Sequence, residues 1–384
     1  MAYFDNAATT FPKPECVYDF MNTFYRECGG NAGRGSHKLS IGAGKMVSET
    51  RNRFKQLLHC ENKQIVFTPS ATIALNMILQ GVLDGKMTAR ANVYISPFEH
   101  NAVTRILHYY EKTEKINVRL LAIKENLTYD FEKIQAQFTK DSPDLMVMSH
   151  ASNVIGLISP VEKLCSMAKK YNAVTVIDMA QTAGLVDTNV GLETIDFAVF
   201  AGHKTLYGPT GISGFAIKPD FDLDPVLFGG TGFESANQDM PNDIPQRYEM
   251  GTLNIAGIAG LHASLGWILD EGIDYLWEHE QLKRKELLRI LRSYDFVKII
   301  GDNEKNRYVG IVSCVIDGLP SDTAASVFAE KNIAVRSGLQ CAPLAHKTLG
   351  TFPSGTIRFS CCAFTGDAEF VDLKQSLEWI KENL

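Results

Sequence analysis

Six short apolar runs punctuate the first half of the chain: Gln64–Phe67, Asn92–Ile95, Val118–Leu121, Leu145–Met148, Val174–Ile177 and Phe197–Phe200. Each begins roughly 20 to 30 residues after the last, with helix-like segments between. Apolar runs without polar alternation are strands covered on both faces by crossover helices. The pattern therefore predicts a doubly wound α/β unit over about 65–217. Beyond residue 255 the grammar changes to a long helical stretch, strands near Val309–Ile316 and Thr356–Ser360, and a last helix over about Asp367–Glu382 with Asp367 as its cap. That order predicts a smaller α+β unit. The charged run Glu278–Lys285 mixes signs at helical spacing and reads as a solvated face.

Composition narrows the class. The chain has 384 residues, and 38 Lys plus Arg against 44 Asp plus Glu leave a net charge of −6, without the basic excess that nucleic-acid binding requires. A chain of this length buries roughly 75% of its unfolded surface, so neither disulfides nor metal is needed to stabilise it. The longest membrane-like candidate, Ile255–Leu269, is interrupted by three glycines, His262 and Ser264, and reads as a buried helix. The N-terminus lacks the basic start and apolar core of a secretory signal. Eight cysteines without framework spacing fit a reducing cytoplasm.

In an open α/β sheet, ligands bind outside the carboxyl ends of the strands. Four sequences sit there. Thr68-Pro69-Ser70-Ala71-Thr72 opens a helix whose free N–H groups suit a phosphate, although such caps occur at many helix starts. Asp178 ends a buried strand as either a functional ion or a capping group. Lys204, in Gly202-His203-Lys204-Thr205, is either a Schiff-base amine or a lysine reaching solvent. His100, after Glu99, is either a structural histidine or a group that stacks or moves protons. Together they make an amine, a carboxylate, a phosphate cradle and a histidine, which are the parts a pyridoxal 5′-phosphate (PLP) enzyme needs.

The order of motifs resembles the cysteine desulfurases and selenocysteine lyases of the class V aminotransferase-like PLP enzymes, over almost the whole chain. It rests on Asp5-Asn6-Ala7-Ala8-Thr9-Thr10, Arg34-Gly35-Ser36-His37, Ala71-Thr72 with Asn76, Glu99-His100, Ser152-Asn153-Val154-Ile155-Gly156, Asp178-Met179-Ala180-Gln181 and Gly202-His203-Lys204. Gly208-Pro209-Thr210-Gly211, Glu249-Met250-Gly251-Thr252, Arg336-Ser337-Gly338-Leu339-Gln340-Cys341-Ala342 and Arg358 continue it. The resemblance implies the PLP-dependent transferase fold (fold type I, aspartate aminotransferase-like). The large PLP-binding domain would span 16–254, and the small α+β domain would combine 1–15 with 255–384.

By the same resemblance, Lys204 would hold PLP and move the substrate's α-proton, Asp178 would pair with the ring nitrogen, Gln181 would bond the phenolic oxygen and His100 would stack on the ring. The Ala71 and Thr72 backbone, the Thr72 side chain and His203 would hold the phosphate. Thr252 would enter the neighbouring subunit's site, implying a homodimer. Arg358 with Asn153 would clamp the substrate carboxylate. Cys341 would attack the substrate sulfur, forming a persulfide and leaving alanine.

Arg358 follows Cys341 by 17 positions, which resembles the short-loop (type II) desulfurases and implies a small or dedicated sulfur acceptor. His346 and Lys347 in this loop read as surface polarity, and Cys361 and Cys362 as structural thiols. Three departures bear on substrate and acceptor: Ala201 replaces a common serine, Gly33 a common histidine, and Ala363-Phe364-Thr365-Gly366 the usual Tyr-Asn-Thr run. The reading is thus a homodimeric cytoplasmic cysteine desulfurase acting on L-cysteine. Its rivals are a selenocysteine lyase or other PLP β-lyase, a class V transaminase, and a sulfur-carrying partner protein of low turnover.

Overall fold

The structure, a computed structural model, describes residues 1–33, 35–87 and 90–383. Arg34 of the Arg34-Gly35-Ser36-His37 motif lies outside them. In chain order the elements are β1 (Ala2–Tyr3), α1 (Glu15–Cys28), α2 (Lys38–Leu57), β2 (Gln64–Thr68), α3 (Ala71–Gly85), β3 (Ala91–Ile95), α4 (Asn101–Lys112) and β4 (Ile116–Leu120). Next come α5 (Phe131–Lys140), β5 (Leu145–Ser149), α6 (Val161–Lys169), β6 (Val174–Asp178), β7 (Phe197–Ala201), β8 (Ser213–Ile217), α7 (Ile255–Glu271) and α8 (Ile273–Leu291). The chain closes with β9 (Val297–Ile300), β10 (Ile311–Ile316), α9 (Ser321–Glu330), β11 (Ile333–Ala334), α10 (Pro343–Thr348), β12 (Ile357–Ser360) and α11 (Asp367–Asn383).

All six apolar runs fall on strands of one sheet, ordered β2-β8-β7-β6-β5-β3-β4. Alternation along each strand feeds two cores. Met146, Met148, Ile177, Ala198 and Phe200 pack on one face, while Leu145, Val147, Val176, Phe197 and Val199 pack on the other with α3 and α4. Burial on both faces is why these runs read as continuous rather than alternating. The sheet is mixed, because β8 pairs antiparallel with both β2 and β7. The edge strand β4 is only partly covered, and its Leu120 is exposed.

The smaller body packs β10 antiparallel between β9 and β12, with β1 parallel to β11. Its core draws on Phe4, Leu287, Leu291, Phe328, Phe359, Leu373 and Leu377. The division at 254/255 falls just before α7. Ile258, Leu261, Leu265 and Ile268 of α7 belong to the larger core, and α8 places Leu276 there and Leu287 in the smaller one. Small residues let α7 lie close to α1: a Cβ on Gly260 would come 2.5 Å from Met21 Sδ.

One local expectation changes. Asp367 is the first residue of α11 rather than its cap, and its carboxylate pairs with Lys283 at 3.5 Å. Glu369 instead reaches back to the Gly366 N–H at 2.6 Å, satisfying an amide ahead of the helix. Among the described residues, no helix is long and apolar enough to cross a membrane.

Candidate active site

Parallel register sets Ser149 of β5 beside Asp178 of β6, and Asp178 beside Val199 of β7. Asp178 is buried and accepts the Ala180 N–H at 2.9 Å on Oδ1, leaving Oδ2 for another partner. Burial pushes its carboxyl above the usual range, against the pull of that bond and of Lys204. Lys204 follows the end of β7. Burial pushes its amine down, opposed chiefly by Asp178.

Ser70 caps α3, its Oγ accepting the Ile73 N–H at 3.3 Å. Ala71 and Thr72 therefore occupy the first turn, where helical geometry supplies no acceptor for their N–H groups. The backbone carbonyl of His203 accepts from Thr9 Oγ1 at 3.0 Å, Thr10 N at 3.1 Å and Lys13 Nζ at 2.7 Å, while Thr10 Oγ1 also donates to Lys204 O at 3.0 Å. Its side-chain Nδ1 is buried without a hydrogen-bond partner among the described residues. Ala71, Thr72, His100, Asn153, Asp178, Gln181, His203 and Lys204 line one cavity.

His100 caps α4 with Nδ1, which accepts the Ala102 N–H at 3.0 Å, so in the neutral ring Nε2 carries the proton. Burial, with the charges of Lys204, Arg358 and Arg105, lowers the ring to about 4. Glu99 is wholly buried and bridges strand ends, accepting from Ser96 Oγ at 2.5 Å, Ser149 N at 2.6 Å and Ser149 Oγ at 2.9 Å. Burial raises its carboxyl to about 7.

The smaller body contributes Arg358 from β12. Its Nη1 donates to Asn153 O at 2.9 Å and its Nη2 to Asp5 Oδ1 at 2.8 Å, while the buried Nε has no partner among the described residues. Asn153 in turn donates Nδ2 to Gln340 O at 2.7 Å, and Asn101 N donates to Cys341 O at 2.7 Å. Cys341 is exposed, and its loop is thereby tied to Asn153, which lines the cavity, and to Asn101, next to the lining His100.

Gln181 spends one amide hydrogen on Ala7 O at 2.9 Å and keeps a second. Thr252 does not join the cavity. It is exposed and borders a separate hollow with Arg51, Gly230 and Phe233. His346 is not surface polarity, being 0% exposed, whereas Lys347 lies over Phe352. Cys361 and Cys362 are both buried, and burial pushes the Cys362 thiol up to about 12. Sequence reading gave no role to Asp5, Thr9, Thr10 or Lys13. The opening motif marked the first three without saying what they touch.

The family model described as aminotransferase class-V matches residues 2–373. The chain belongs to that family. A protein named "Probable cysteine desulfurase" from Pyrococcus abyssi is 32% identical over 93% of this chain and 88% of its own length. One of the same name from Methanothermobacter thermautotrophicus is 30% identical over 98% and 94%. The apo structure of a cysteine desulfurase from Thermococcus onnurineus NA1 superposes with a TM-score of 0.92 at 28% identity, covering 100% of this chain and 95% of that one.

The class V cavity fits the cofactor that the sequence implies. A phosphate would meet helix N–H groups and the unpartnered His203 Nδ1. A protonated ring nitrogen would relieve a buried carboxylate that is otherwise costly. For His100, a folded pKa near 4 against about 6.5 unfolded makes a contribution to stability that is present above pH 6.5 and lost as pH falls through 4. NMR of labelled imidazole in the cofactor-free protein should place the His100 midpoint near 4. A midpoint near the ordinary value would contradict the buried, neutral ring.

Proposed function

We propose that this chain is a PLP-dependent cysteine desulfurase, converting L-cysteine to L-alanine and taking the sulfur onto Cys341 as a persulfide. The observation that carries the reading is the placement of Cys341: an exposed thiol whose loop is fastened to Asn101 and Asn153, beside the cavity lined by Lys204 and Asp178. The named relatives and the Thermococcus structure support the same chemistry.

Lys204 would hold PLP through its amine, Asp178 its ring nitrogen and Gln181 its phenolic oxygen, while His100 would cover the ring. The Ala71 and Thr72 amides, the Thr72 side chain and His203 would hold the phosphate. When bound, the cofactor supplies an electron sink for the substrate's α-carbon. The lowered basicity of Lys204 suits an amine that must release and take up a proton at that carbon near neutrality. Arg358, with Nε unspent, and the second Asn153 amide hydrogen would hold the substrate carboxylate and fix the β-carbon's direction. The Cys341 thiol and L-cysteine become a Cys341 persulfide and L-alanine, so no external oxidant is consumed. The sulfur then passes to a small or dedicated acceptor thiol.

Eight unpaired cysteines support a cytoplasmic setting. A homodimer would give Thr252 its place at the partner's phosphate, and the exposed Leu227 and Phe228 belong to the same region of the chain.

Alanine release from L-cysteine and L-selenocysteine, with reductant, should be compared in wild type and Cys341→Ala. The variant is expected to lose about a hundredfold or more of the L-cysteine reaction while keeping that with L-selenocysteine. Equal activity on both would make Cys341 structural and move the enzyme to the lyase reading. Light scattering on the active protein should give twice the chain mass, and an active monomer would refute the shared site.

A further inference from the structure

The loop bearing Cys341 holds an unusual backbone. Gln340 and Cys341, neither of them glycine, sit consecutively in the left-handed region at φ 40° and 56°. Side chains disfavour that region, so surrounding contacts must impose it. The buried Gln340 side chain makes those contacts. Its Nε2 donates to Thr356 O at 3.0 Å, and its Oε1 accepts from His346 Nε2 at 2.8 Å and from Thr356 Oγ1 at 3.4 Å. Its main-chain oxygen takes the Asn153 Nδ2 bond that also reaches the cavity wall.

His346 completes the arrangement. With Nε2 donating to the Gln340 carbonyl oxygen, Nδ1 must accept, and Thr351 Oγ1 stands 2.7 Å from it. Both ring nitrogens are thus satisfied by one neutral tautomer, in keeping with burial that lowers the ring to about 4. Backbone packing allows the loop little slack. Thr356 N donates to Gly338 O at 3.1 Å, and a Cβ on Gly355 would come within 2.1 Å of that same oxygen.

We infer that Gln340 and His346 are positioning residues which hold the Cys341 thiol at the mouth of the Lys204 cavity, so that sulfur passes to a pre-placed thiol. The assignment rests on the desulfurase reading of Cys341. Neither residue touches substrate. A buried, hydrogen-bonded amide–imidazole couple fixes a geometry more tightly than an exposed loop can.

The test uses the PLP-loaded protein and its His346→Ala and Thr351→Val variants, the second removing only one hydroxyl partner should the first fail to fold. Persulfide on Cys341 is read by mass after a timed pulse of L-cysteine, and half-saturation from the visible absorbance change on adding it. Alkylation of Cys341 by iodoacetamide is followed against exposed Cys16 as internal reference. His346→Ala should slow persulfide formation about tenfold or more. Half-saturating L-cysteine should stay unchanged, Cys341 alkylation should rise relative to Cys16, and His346→Gln should restore part of the rate. Thr351→Val should move the same readouts in the same direction by less. Wild-type persulfide rates and alkylation ratios in both variants would overturn the inference. Absence of persulfide in wild type would instead sink the desulfurase reading, with the alkylation ratio still deciding whether the couple holds the loop.

Discussion

Ser149, Asp178 and Val199 stand side by side across β5, β6 and β7, and the site depends on that parallel register. A slip of one residue would turn Asp178 to the opposite face of its strand. The register also brings Lys204 to the same sheet edge, just beyond β7. Two ionisable groups buried there are pushed toward neutrality by the lost water and toward charge by one another. That balance eases proton loss from the amine and leaves the buried carboxylate favouring a cationic neighbour.

The second constraint is the chain's opening segment. Phe4 pairs with both Ala334 and Ser360, Asp5 binds Arg358, and Thr9, Thr10 and Lys13 converge on the carbonyls of His203 and Lys204. One short strap therefore links Arg358 of the smaller body to the lysine loop of the larger. The Cys341 loop adds a second link through Asn101 and Asn153. Arg358 is thereby set at a fixed place relative to Lys204, and the proposed carboxylate clamp and proton transfer would depend on that spacing.

Much of this was legible in the chain because burial on both faces leaves an unmistakable apolar run. It located the six strands and hence Asp178, His203 and Lys204 at their ends. β8 was not marked as a strand, since Ser213-Gly214-Phe215 lacks such a run, and its antiparallel pairing made the sheet mixed. The packing of α7 was not legible because the helix is apolar and small on several faces, a pattern that cannot say which core receives it. The contacts of Asp5 and His346 were not legible for a different reason. Asp5 is bonded to the distant Arg358, His346 is buried between Gln340 and Thr351, and periodicity carries no trace of such pairings. Thr252 stands apart from the cavity in the single chain, so its proposed role belongs to an assembly rather than to the fold.

The central claim is that this cavity holds PLP on Lys204, and the direct measurement is borohydride reduction of the PLP-loaded protein followed by peptide mass mapping. Two other lysines make the experiment discriminating. Burial also lowers the amines of Lys13 and Lys63, each to about 8. The account predicts one reduced pyridoxyl adduct per chain, on Lys204, absent from Lys204→Ala. An adduct on Lys13 or Lys63, or a fixed bond that survives Lys204→Ala, would contradict it.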